Sequence, residues 1–189
     1  MAEPRNTKRM FADELEAMME ETPLSKVRVR DLCARCGVER CTFYYHFKDK
    51  YDLVAWMLDQ ESLRAAEGAR RFTRAHFAEG LRLIWERRAF YRRAFEEGSQ
   101  NSIYRHHLEY CIRENEALLR RHLGVKDLSR TAAFEARFFS LGTAGSLGPW
   151  LAGEIVATPE QLTDSLFDCM PPTLRKAYAA QAKLEGDAR

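Results

Sequence analysis

The chain has 189 residues, of which 46% are hydrophobic and 31% charged, with a net charge of +2. These proportions are ordinary for a soluble protein, and the length allows one long domain or two small ones. A net charge this small does not by itself point to nucleic acid.

Other classes fall away on similar grounds. The longest uncharged run, residues 138–153, is 16 residues long and holds several glycines and Pro149. A membrane span needs about 20 predominantly apolar residues, so a buried helix is expected there. The five cysteines (Cys33, Cys36, Cys41, Cys111, Cys169) are odd in number, and no signal peptide opens the chain. A reduced, cytoplasmic setting is the expectation. Cys33, Cys36 and Cys41 have no second ligand pair at zinc spacing, and neither a phosphate loop nor a metal-binding helix motif occurs. The segment Ala144–Gly148 misses the first glycine of a nucleophile elbow and lies in a helical stretch. The expectation is therefore no enzyme, no cofactor and no metal.

In chain order, residues 1–6 read as a loose arm whose Arg5, with Lys8 and Arg9 beyond it, can add phosphate contacts. A first helix is expected from Thr7 to Met19, with Phe11, Leu15 and Met18 on its apolar face. Thr22-Pro23-Leu24-Ser25 breaks it. Two short helices follow within residues 29–50, the first around Leu32 and the second from Glu39 to Phe47. Between them, Gly37 supplies the positive φ that a sharp helix exit requires. Phe43 and Phe47 share one face of the second helix, while Cys41, Thr42, Tyr44 and Tyr45 point mostly the other way. An anchored back and a polar, aromatic front suit a helix that enters the major groove.

Charge is segregated in the same window. Residues 26–50 hold seven Lys or Arg against three acids, a local excess of four, whereas residues 10–25 hold five acids and no Lys or Arg. Such a basic surface suits phosphate.

The run Val38-Glu39-Arg40-Cys41-Thr42-Phe43-Tyr44-Tyr45-His46-Phe47-Lys48-Asp49-Lys50-Tyr51-Asp52-Leu53 resembles the helix-turn-helix of the TetR/AcrR family of bacterial transcriptional regulators, over roughly residues 7–60. The resemblance implies an all-α fold: a three-helix, homeodomain-like DNA-binding domain over residues 1–60, and a helical effector-binding and dimerisation domain over residues 61–189. It assigns Arg40 and Thr42 to base edges, and Tyr44, Tyr45 and His46 to thymine methyls, sugars or phosphates. Lys48, Lys50, Arg30 and Arg28 fall to the DNA backbone. Arg28 stands where the family usually has a capping Ser or Thr. Cys41 stands where it often has Gly, Gln or Ser, so oxidation there would weaken binding.

Beyond residue 50, Asp49 and Asp52 resemble a capping box for a fourth helix running to about Arg71. Later helices are expected over residues 90–97, ended by Gly98, and from Ser102 to Leu123. A long helix starts near Ser129, with Phe134, Phe138, Leu141, Gly145 and Gly148 on one side. Gly142, Gly145 and Gly148 in one helix each cost about 1 kcal/mol relative to alanine, which a closely approaching helix would offset. Pro149 is expected to kink or end that helix. Thr158 caps the next, with Pro159 at its first position and Gln161 completing a capping box. Its stripe is Leu162, Leu166 and Met170. Pro171-Pro172 stops it, and the tail reads as a weak helix or disordered.

The family resemblance makes the last two long helices a two-fold dimer interface, here Phe134, Leu141, Gly145, Gly148, Leu162 and Leu166. An effector pocket is expected from Trp85, Tyr91, Tyr104, His107 and Phe138. The function implied is a homodimeric repressor released from a palindromic operator in double-stranded DNA by a small-molecule effector. The segments Glu86–Tyr91 and Gly98–Ser102 are also similar to regulators of the dihydroxyacetone kinase type, which implies an alternative: control by a protein partner, acting as activator. A helical enzyme or scaffold is the third reading.

Overall fold

In the computed structural model, residues 7–68, 71–96 and 100–186 are described. They form ten α-helices and one short 3-10 turn, and no strand occurs among them. The N-terminal arm, including Arg5, and the expected stop at Gly98 lie outside the described residues.

The N-terminal unit comprises α1 (Thr7–Glu21), the 3-10 turn Leu24–Lys26, α2 (Val29–Cys36) and α3 (Arg40–His46). Its core is Phe11, Leu15, Leu24, Leu32 and Phe43, each fully buried. Phe43 stands edge-on to Phe11 at 5.2 Å, which fixes the back of α3 against α1. The exit from α2 follows the sequence pattern: Gly37 has φ 68°, and Val38 N donates to Cys33 O at 3.0 Å. That is a Schellman closure, and an L side chain at Gly37 would be strained.

α4 (Lys50–Gly68) leads from this unit into the rest of the chain. Asp49 accepts from the backbone N–H groups of Tyr51 and Asp52, both at 2.9 Å. Lys48 N donates to Asp52 at 3.0 Å, so Asp52 reaches one residue past the Asp49 N–H that a true capping box uses. Its inward residues Leu53, Val54, Met57 and Leu58 are buried, and it packs against α1, α5 and α7.

The remaining helices are α5 (Arg74–Glu86), α6 (Arg88–Glu96), α7 (Gln100–Leu123), α8 (Arg130–Ala152), α9 (Pro159–Asp168) and α10 (Pro172–Gly186). α7 and α8 pair along their length, α9 covers α5, and α10 closes over α7 and α8. Thr158 and Gln161 form the predicted capping box of α9.

Two expectations change. α8 does not end at Pro149 but runs three residues further, to a positive-φ Gly153. Pro149 sits in the last turn, where Glu154 N and Ile155 N close the helix on its carbonyl; the N–H it lacks would have bonded the Gly145 carbonyl, so one helical bond is lost. The tail, expected as a weak helix or disordered, is helical over Pro172–Gly186 and carries buried Leu174, Ala177 and Tyr178. α9 ends at Asp168, ahead of Pro171-Pro172, and Pro172 then occupies the first position of α10, where its fixed φ favours helix and its absent N–H is not needed.

Candidate functional site

α3 presents a surface made by its own periodicity. With Phe43 and Phe47 inward, Arg40, Cys41, Tyr44 and Tyr45 are exposed and Thr42 and His46 half-buried. Tyr45 is 85% exposed, with the His46 ring edge-on to it at 5.0 Å. Arg40 lies over the Tyr44 ring at 5.8 Å and reaches its hydroxyl at 3.5 Å, which limits the rotamers open to both side chains.

The flanking basic residues divide. Arg28 is exposed at the N-terminus of α2 and makes no side-chain cap, because a guanidinium has no acceptor to offer. Arg30 is exposed and paired with Asp31 at 3.1 Å, and Lys48 is exposed. Lys50 donates to the carbonyls of Ser25 and Val27, both at 2.7 Å. It therefore staples the loop that leads into α2, a role invisible in the sequence because the partners are main-chain atoms 23 and 25 residues away. Lys8 lies over the rings of Phe47 and Trp56.

Cys33 is buried and Cys36 half-buried, and burial raises both thiols, Cys36 to about 11. Both therefore stay protonated and inert at neutral pH. Cys41 is exposed on the α3 face. Among the described residues no cluster of three or more candidate metal ligands occurs, and no helix is long and apolar enough to cross a membrane.

Between α4, α5, α7, α8 and α10 lies a cavity of about 110 Å³. A water needs roughly 10–15 Å³ of such space, so it holds several waters or one small organic molecule. Phe72, Phe77, Leu81, Ile84, Phe139 and Leu147 supply apolar walls, and Arg71, His76, His107, Tyr110 and Asn115 supply polar groups. Of the five residues expected to form an effector pocket, only His107 lines this one. Trp85 stacks on Trp150 at 4.7 Å, Tyr91 is fully buried, and Phe138 is 57% exposed on the outer face of α8. Tyr104 is half-buried on α7 and is not part of the wall. Aromatic content alone does not say which face of a helix lines a void.

Phe72 holds a left-handed conformation, φ 64°. For a bulky residue this costs on the order of 1–3 kcal/mol. The conformation points its ring into the core, edge-on to Tyr178, and places Arg71 at the cavity. Arg71 Nη2 donates to Glu114 and lies 3.5 Å from the Tyr110 hydroxyl, which donates to Ser62 Oγ at 3.0 Å.

The N-terminal unit is tied to the later helices by two arginines near and on α6. Arg87 makes a bidentate pair with Glu16 of α1 and bonds Glu61 of α4, which is 1% exposed. Tyr91 also donates to Glu61, at 3.2 Å. Arg93 donates to Met19 O and Glu20 O, both at 2.7 Å, and so caps the C-terminus of α1. This clamp is not legible in the sequence, since charged residues on helices usually face solvent.

The expected interface residues also divide. On α8, Phe134, Phe138 and Leu141 are exposed to 65%, 57% and 43%, and a Cβ at Gly142 or Gly145 would meet nothing within 4 Å. Gly148 is half-buried. Leu162 and Leu166 are instead core residues of the protomer, 5% and 9% exposed. α9 turns its apolar stripe inward, leaving Glu160, Gln161, Asp164 and Ser165 outside.

Comparison with known proteins bears on these features. Residues 13–57 match the family described as bacterial regulatory proteins, tetR family. No protein of curated function matches the chain. Among solved structures, the dihydroxyacetone kinase operon activator DhaS is similar at 14% identity, with TM-score 0.60 over 87% of this chain and 94% of that one. A tetR-family transcriptional regulator from Streptomyces coelicolor is similar at 13% identity, with TM-score 0.51 over 100% of this chain and 85% of that one. At these identities the likeness shows a shared fold.

Proposed function

We propose, from the premise that this chain is a DNA-binding transcription regulator of the tetR family with its family segment at residues 13–57, that it acts in the cytoplasm as a homodimeric repressor released by a small-molecule effector. The head, residues 1–60, binds a palindromic operator, and the body, residues 61–189, dimerises and senses. Arg40 and Thr42 read base edges, Arg40 by the bidentate bond to guanine that Arg favours. Tyr44, Tyr45 and His46 meet methyls, sugars and phosphates. Arg28, Arg30 and Lys48 contact the backbone and set register. Lys50 holds the loop that positions α2 and adds its charge beside the phosphates.

Dimerisation uses the outer face of α8. Phe134, Phe138 and Leu141 would otherwise leave an apolar stripe in water, and the glycines beside them have no close neighbour within the chain. Close approach by the same face of a second copy accounts for both, with Gly148 at the edge of the seam. Two recognition helices about 34–36 Å apart then match successive major grooves.

The observation that carries the sensing half is the cavity on α4. Leu58 and Ser62 line it, while Glu61, between them on the same helix, holds the Arg87 clamp to α1. A ligand that shifts α4 thereby changes the angle of the head, provided it binds the two arrangements unequally. The cavity favours this reading over control by a protein partner acting as activator.

Selection of bound sequences from random duplex DNA tests the reading. A palindrome with half-sites one helical turn apart is the expected product. A protein verified as dimeric that enriches no palindrome overturns it.

A further inference from the structure

Three buried side-chain polar atoms among the described residues have no hydrogen-bond partner: Asp59 Oδ1, Arg71 Nε and His107 Nδ1. Two of these residues, Arg71 and His107, line the same cavity. A buried donor left unmatched costs about 1–3 kcal/mol, and two on one small cavity mark a place where a ligand atom recovers that energy.

The chemistry of each atom narrows the ligand. Arg71 Nε is always a donor, and the charge of its guanidinium is already answered by Glu114. His107 Nε2 lies 3.6 Å from Cys111 Sγ; with Nε2 accepting from the protonated thiol, the neutral ring carries its proton on Nδ1, which is then a donor. Burial pushes His107 down to about 4 and the Cys111 thiol up to about 12, so both are uncharged at neutral pH.

A carboxylate ligand would add a further negative charge to those of Glu114 and Asp59, which both act on Cys111 at the cavity wall, in a site where desolvation of a charge is costly. An ammonium would meet Arg71. The walls are apolar and partly flat: Phe72, Phe77, Phe139 and Tyr178 face the cavity, and the His107 ring stacks on that of Tyr110 with 14° between planes.

We propose that the cavity binds a small uncharged aromatic compound carrying one oxygen acceptor, with the oxygen at Arg71 Nε and His107 Nδ1 and the ring among the phenylalanines. This deepens the reading of the body as an effector-binding unit and rests on it for the ligand's regulatory consequence.

Three probes of matched size separate the classes by calorimetry on the whole protein: acetophenone, benzoate and toluene. Acetophenone should bind at least tenfold more tightly than either of the others. The Arg71→Lys variant keeps the charge opposite Glu114 but loses the Nε donor, and should bring acetophenone down to the affinity of toluene. Because that variant can fail for reasons of folding, the Arg71 Nε–H resonance of the wild-type protein is followed as well. It should shift on adding acetophenone and stay in place with toluene.

Equal binding of benzoate overturns the uncharged class. Equal binding of toluene, or an unmoved Arg71 resonance, overturns the role of the oxygen. No binding of any probe overturns the site. If acetophenone binds as expected but leaves a selected operator duplex bound, the release mechanism falls while this assignment stands.

Discussion

The recognition surface and the body cavity are built in opposite ways. The first is one short helix whose outward residues all fall within the seven positions from Arg40 to His46, and whose chemistry is largely exposed. The second gathers residues from five helices between Leu58 and Tyr178, and its chemistry is buried. On the surface, changing a side chain should leave stability alone and alter binding. In the interior, function and folding share the same atoms, and the two effects arrive together.

The sharpest break of this contrast lies within α3. Phe43→Ala should cost about 4 kcal/mol, the usual range for emptying a fully buried phenylalanine. Tyr45→Ala, two residues on, should change stability by less than about 0.5 kcal/mol while weakening operator binding. Urea unfolding with a parallel DNA titration reads both, and a large stability loss at Tyr45 would mean that its exposed ring packs on something after all.

Arg87→Ala comes next, at about 3 kcal/mol, because it leaves Glu61 buried without its strongest partner. Glu61 keeps bonds from Tyr91 and Arg64, which holds the loss below the upper end of that range. Glu16→Gln should cost far less, since Glu16 is partly exposed. Equal losses in thermal unfolding would show that the pair to α1, rather than the buried carboxylate, holds the clamp.

Arg40→Ala should relax preference at one base position by about 1–3 kcal/mol, whereas Lys48→Ala should weaken all duplexes alike and flatten the salt slope by about one. Binding measured across point-mutated operators and salt concentrations separates them. Matching profiles would mean the two roles are misassigned.

The smallest effect is in pH. Burial holds His107 near 4, below the ordinary value of 6.5, and holds His76 low as well. The unfolded chain then takes up protons first, so the contribution from these imidazoles is complete above pH 6.5 and is lost as pH falls from there towards 4. His106, raised by its bond to Asp59, acts in the opposite sense: its contribution is complete below 6.5 and lost above its raised value. His107→Gln should therefore flatten the loss of thermal stability between pH 6.5 and 4.5. A curve parallel to wild type would place the pH sensitivity elsewhere.

The features legible in the sequence follow from local rules. Gly37 demanded a left-handed exit, Phe43 and Phe47 set the inward face of α3, and Thr158, Pro159 and Gln161 wrote the start of α9. In each case cause and consequence lie within a few residues, so periodicity and capping suffice. The packing of helix on helix settled the rest. It turned Leu162 and Leu166 into protomer core, recruited the tail as α10, spent Lys50 on two carbonyls, and chose His107 over Trp85 and Phe138 for the cavity wall. These outcomes depend on which helix faces which. An apolar stripe records that a face must be covered, without recording whether the cover is another helix of the same chain or a second copy.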